Sequence, residues 1–153
     1  MSNDNIFAKF NEQVDLDGMK DDIKEASEGS GEFKEIPHGT YEVAIDKMEQ
    51  VMTKKAPQRP MLSIWFKILD GEYKGQRIFM NQLLTGGFPI HIANEFLRSL
   101  DSGLEIEFED YVQYYNLILD VFEQVEGKKE YALKKEDNKG FDKFTIEQVF
   151  DVQ

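Results

Sequence analysis

Between Met61 and Leu69 the chain alternates without a break. Leu62, Ile64, Phe66 and Ile68 take one parity, and Ser63, Trp65 and Lys67 take the other. Period two segregates apolar side chains only on an extended strand with one buried face. This segment constrains the fold most, because a one-residue slip would turn its whole apolar set to solvent. Two neighbours share the pattern. Gly39 to Val51 sets Tyr41, Val43 and Ile45 against Glu42, Ala44 and Asp46. Gln76 to Leu83 returns after a turn begun by Asp70-Gly71, with Ile78 and Met80 against Arg77, Phe79 and Asn81. Between the first two strands, Met52 to Pro60 forms a basic loop that Pro57 and Pro60 keep out of regular structure.

Beyond Thr85-Gly-Gly87 the period changes to that of a helix. Ile90, Ala93, Phe96, Leu97 and Leu100 form one stripe, which Ser102-Gly103 stops. A second helix is expected from Phe108 to Val125, with Phe108, Val112, Tyr115, Ile118, Leu119, Phe122 and Val125 as its apolar stripe and Gly127 past its end. Tyr131 to Lys135 and Phe144 to Phe150 read as a final hairpin around Asp137-Asn-Lys-Gly140. Three meandering strands, a helical insertion and a hairpin make the order of an OB-fold. The expectation is therefore a mainly β chain with some α, a five-stranded OB barrel over residues 39–151 with its helical insertion between strands three and four. A generic α+β sandwich is the other arrangement.

Residues 1–32 read as an N-terminal arm and linker, and residues 33–153 as the OB-fold domain. Asp17 is a suitable N-cap for a short helix, Gly18 to Ala26, and Ser27 to Glu32 has linker composition. Ile6, Phe7, Phe10, Val14, Leu16, Met19 and Ile23 would anchor the arm on the barrel or on another copy, which makes a homo-oligomer an expected state.

The net charge is −12, unevenly spread. Residues 1–37 hold ten acids and four bases, and residues 94–126 hold nine acids and one base. Residues 47–82 reverse this, with seven bases and three acids. A polyanion would therefore be confined to one surface. There are no cysteines, which excludes disulfides, thiolate zinc sites and cysteine nucleophiles and fits a cytoplasmic protein. No apolar run is long enough for a membrane span and no secretion signal is evident, so no membrane partner is expected.

OB barrels bind oligonucleotides on strands two and three and on the loops joining strands one to two and four to five. Trp65 and Lys67 occupy the outward parity of strand two, and Arg77 and Phe79 that of strand three. Lys54, Lys55 and Arg59 lie in the first loop, and Lys134 and Lys139 in the last hairpin with Lys135, Phe141 and Lys143. Rings stack on unpaired bases and cations follow phosphates, so single-stranded DNA is the expected ligand, bound without sequence preference. Each residue also has a plainer reading. Trp65 could pack under the arm or a helix. Phe79 could be core, since apolar Leu83 shares its parity. The loop cations could be solvated, and the hairpin lysines could answer Glu130, Glu136, Asp137 and Asp142.

Catalysis finds no such coincidence. His38 and His91 lack partners at metal-ligand spacing, and Glu105 to Asp110 suits the start of the second helix, where negative charge meets the dipole. Asp137 to Gly140 lacks EF-hand spacing. The expectation is a protein that is not an enzyme and has no cofactor or metal. The contrasting reading is an acidic protein-binding module that imitates nucleic acid toward a basic host nuclease or defence protein.

The run Phe33 to Val43, the stretch Pro60 to Gly75 followed by Arg77-Ile-Phe-Met-Asn81, the helix Phe88 to Leu100 and the Lys139-Gly-Phe hairpin resemble a family of small bacteriophage proteins known as domain of unknown function 669. So does the N-terminal Phe-x-x-Gln-Val-Asp-Leu-x-Gly segment. The resemblance implies a phage early protein that binds single-stranded DNA in replication or recombination, in the cytoplasm of a bacterial host. It implies no catalytic residues, and a phage recombinase or a host protein as partner. Because Phe150-Asp-Val-Gln153 follows directly on the expected last strand, no long acidic tail of the kind familiar bacterial single-strand-binding proteins carry is expected.

Overall fold

A computed structural model describes residues 36–152. The arm, its expected helix and the linker therefore lie outside the described residues. Five strands and two helices follow in the order β1 (Gly39–Met52), β2 (Pro60–Ile68), β3 (Arg77–Leu83), α1 (Gly87–Ser99), α2 (Tyr111–Val125), β4 (Lys129–Asn138) and β5 (Phe141–Asp151). The strands form one sheet in the order β3-β2-β1-β4-β5, with every neighbouring pair antiparallel. The final hairpin is longer than its apolar core suggested. Pro60 does not lie outside regular structure: it opens β2 opposite Met52, the first-residue position a strand tolerates for proline.

β1 is the hinge of this architecture. It pairs with β4 through Gly39 to Val43 and with β2 through Val43 to Met52. Its register shifts between Ile45 and Lys47, so Asp46 is an extra residue. Such a bulge bends the strand and inverts its parity. Val43 and Ile45 point inward before it, and Met48 and Gln50 after it. Leu62, Ile64, Phe66 and Ile68 of β2 are all fully buried on the same inner face, where Ile78 and Met80 of β3 and Tyr131 and Leu133 of β4 join them.

The expected barrel closure is not seen. The sheet is open, with β3 and β5 as its edges, and α1 packs against both of them. Ala93, Phe96 and Leu97 of α1 are buried, with the Phe96 ring edge-on to Phe66 at 6.2 Å. Helical side chains thus complete the core where a closing ladder was expected.

α2 lies along β1 and corrects a second expectation. Its buried residues are Tyr114, Ile118, Val121 and Val125, whereas Val112 is 44% exposed. The helix is apolar on two adjacent stripes, and hydropathy does not choose between them. The tyrosine hydroxyls do: Tyr111 donates to the Leu84 carbonyl at 2.7 Å and Tyr114 to Asn94 Oδ1 at 2.6 Å, each locking the helix rotation. Buried Gln50 adds a third tie, donating to the Tyr111 carbonyl at 2.9 Å. The acidic run before α2 does cap it, as its sequence suggested. Asp110 Oδ1 accepts from the Gln113 backbone N–H at 2.7 Å. No helix among the described residues is long and apolar enough to cross a membrane.

Candidate functional site

With the inner face filled, the outward parity of β1, β2 and β3 forms a second surface. Cross-strand register orders it in rows. Glu49, Ser63 and Asn81 make one row, Lys47, Trp65 and Phe79 the next, and Ala44, Lys67 and Arg77 the third. Side chains opposite one another on antiparallel strands stand about 5 Å apart, so each row is a set of contacts.

The middle row is the centre of the surface. Trp65 and Phe79 meet edge to face, with ring centroids 5.3 Å apart and planes at 89°. The Lys47 ammonium lies 4.7 Å from the centroid of the Trp65 ring. Phe79 is therefore not a core residue; it packs against Trp65 on the outer side, and both rings are half-buried. Around them sit charges in pairs. Arg77 Nε is 2.6 Å from Asp46 Oδ2, and Lys47 Nζ is 3.2 Å from Glu49 Oε1. Lys67 is exposed beside Arg77.

Lys54, Lys55 and Arg59 lie beyond the Met52–Pro60 end of this surface. Their loop is closed by two hydrogen bonds, Thr53 N–H to the Arg59 carbonyl at 2.8 Å and Arg59 N–H to Thr53 Oγ1 at 2.9 Å. Lys55 and Arg59 are exposed, and Lys54 is half-buried.

Lys134 and Lys139 are not brought to the rings. Lys134 stands opposite Thr40, four residues along β1 from the Ala44 row, or about 13 Å of strand. Its ammonium is 3.5 Å from Glu136 Oε2. Lys139 occupies the two-residue β4–β5 turn with φ 56°, followed by Gly140 with φ 88°. Lys135 is buried rather than a surface charge. It donates to the Ile36 carbonyl at 2.7 Å, with Asp142 3.9 Å away.

Sequence reasoning missed Asp46, Lys47 and Glu49 as members of the site. The β1 bulge turns Lys47 and Glu49 outward beside β2, and Asp46, already on the outward parity, belongs to the site because it holds Arg77. Regular alternation carries no sign of a bulge.

At the far end of the sheet lies a cleft of about 430 Å³ lined by Thr40, Tyr41, Glu42 and the turn Asp70 to Tyr73. Tyr41 and Tyr73 meet edge to face at 6.2 Å. Burial, with Tyr73 and Glu72 nearby, raises the Tyr41 phenol above its ordinary value. Among the described residues no three His, Asp or Glu side chains converge as metal ligands would.

No curated protein matches this chain. A family match runs from residue 22 to residue 132, through β1, β2, β3 and both helices, and it places the chain in the family described as Protein of unknown function (DUF669).

Proposed function

We propose that this protein is an open relative of the OB barrel that binds single-stranded DNA without catalysis, on the outer face of β1, β2 and β3. The observation that carries the reading is the row Lys47, Trp65, Phe79: two rings and a cation side by side on a rigid sheet. An unpaired base stacking on Trp65 takes the place of the Lys47 ammonium, for about 1–3 kcal/mol per stacked base. Ser63 and Asn81 on one side and Lys67 and Arg77 on the other offer hydrogen bonds and charge to the same strand of nucleotides. Lys54, Lys55 and Arg59 continue the track into the β1–β2 loop. In a phage-infected bacterial cell such a protein would protect or present single strands during replication or recombination.

The test uses the chain's one tryptophan. Titrating the full chain with oligo-dT at low salt should quench Trp65 emission, and raising salt should weaken binding by about 0.7 in log–log slope per phosphate contacted. Losing Trp65 and Arg77 together should abolish the binding, read for that tryptophan-free variant by the anisotropy of a labelled oligo-dT. No binding at low salt, or binding unchanged in that double variant, sinks the proposal.

The cleft supports a second reading. Glu42, Asp70 and Glu72 line it with two tyrosines, a setting that suits a cationic side chain of a basic protein partner. That reading expects nuclease-resistant capture of a basic host protein and indifference to oligo-dT.

A further inference from the structure

Two of the three cations on the outer face already hold a carboxylate. Asp46, the extra residue of the β1 bulge, holds Arg77 at 2.6 Å, and Glu49 holds Lys47 at 3.2 Å. Both acids sit on the outward parity, away from the core. For a protein that binds a polyanion, these placements look counterproductive. We infer that Asp46 and Glu49 set the selectivity of this face, favouring unpaired bases over ligands that offer only phosphate, such as duplex DNA. The inference rests on the single-strand reading above.

The physical reason is the difference between what a ring and what an ion pair offers. A phosphate approaching Arg77 must displace the Asp46 carboxylate, and it meets a like charge until it does. A base needs only the rings and neutral hydrogen-bonding groups of Trp65, Phe79, Ser63 and Asn81. It pushes the Lys47 ammonium off the Trp65 ring, and that ammonium remains neutralised on Glu49, 3.2 Å away. A duplex keeps its bases stacked inside and presents phosphates outward. It therefore meets the guarded cations and gains nothing from the rings. Selectivity built from repulsion of the wrong ligand needs such an element beside the attractive one.

The experiment compares wild type, Asp46→Asn, Glu49→Gln and the double variant. Each is titrated with oligo-dT and with a duplex of equal length, at several salt concentrations. The changes are nearly isosteric, and a thermal melt of each variant checks that it folds. The double variant should bind the duplex about tenfold more tightly at low salt, with a salt slope steeper by about one to two. Its oligo-dT affinity should change much less, so the preference for single strands shrinks. Adding Arg77→Gln to Asp46→Asn should cancel the gain in duplex affinity. If wild type ignores oligo-dT, the single-strand reading fails and takes this inference with it. If wild type binds oligo-dT and the preference is the same in all variants, only the role of Asp46 and Glu49 is overturned.

Discussion

The β2–β3 and β4–β5 hairpins contain similar residues and make different surfaces. Each holds several cations and at least two aromatic rings. In β2–β3 the ladder sets Trp65 against Phe79 and Lys67 against Arg77, all on the outward parity. β1 adds Lys47, Asp46 and Glu49 on the other side, so the patch is three strands wide. In β4–β5 the same kinds of residue are dispersed. Phe144 packs on the core, Phe141 projects at the tip with 76% exposure, Lys135 is buried and Lys134 meets Glu136. Lys129 is held by Asp151 at 2.5 Å and Asp101 at 3.4 Å, and the Asp151 hydrogen bond foremost raises its pKa. Composition supplies rings and charges; register decides whether they become a surface.

The sharpest way to break this comparison is to exchange the two parities of β2. Ile64→Asn puts an amide on the inner face, leaving a cavity and an unpaired polar group. It should cost about 4 kcal/mol or more, much of a small domain's stability. Urea unfolding followed by circular dichroism should show the midpoint moved far toward zero denaturant, whereas Trp65→Ala, one residue away, should leave the transition nearly in place.

The next effect is on binding. Trp65→Ala and Phe79→Ala should each weaken oligo-dT binding by about 1–3 kcal/mol. Phe141→Ala, or Lys134→Ala with Lys139→Ala, should change it by less than about 0.5 kcal/mol. Fluorescence anisotropy with labelled oligo-dT reads both. Equal losses from the two hairpins would erase the distinction between them.

Lys135→Met tests the β4–β5 side. It leaves the Ile36 carbonyl without its donor, which should cost about 1–3 kcal/mol of stability and nothing in oligo-dT affinity.

The smallest effect is a slope with pH. Burial raises the phenols of Tyr114 and Tyr131 well above their ordinary 10.0. The folded chain keeps both protons at a pH where the unfolded chain releases them. Stability from this source is complete below pH 10 and declines above it. The decline is about 1.4 kcal/mol per pH unit for each tyrosine until the folded groups titrate. Tyr131→Phe should remove its share of that decline, at the cost of the hydrogen bond to the Leu100 carbonyl. Urea midpoints measured from pH 9 to 11 give the comparison.

Much of this molecule was legible because its signals are local. The alternation of β2 named four buried residues, Leu62, Ile64, Phe66 and Ile68. The outward set Trp65, Lys67, Arg77 and Phe79 followed from the same parity. Asp110 was readable as part of an acidic helix start, and Gly127 as a helix end with φ 70°. These outcomes depend on steric and hydrogen-bonding preferences within a few residues.

Only the tertiary structure decided the remainder. Sheet closure depends on whether two edge strands, far apart in sequence, come within ladder distance, and α1 packs against both instead. The buried stripe of α2 was chosen by the distant partners Leu84 and Asn94. Lys135 became a core residue because the Ile36 carbonyl came to meet it from 99 residues away. The sequence by itself determined which residues of β2 and β3 face out together. The bulge in β1, invisible to a count by twos, decided that Lys47 and Glu49 would join them there as a pair, beside the Asp46 that holds Arg77.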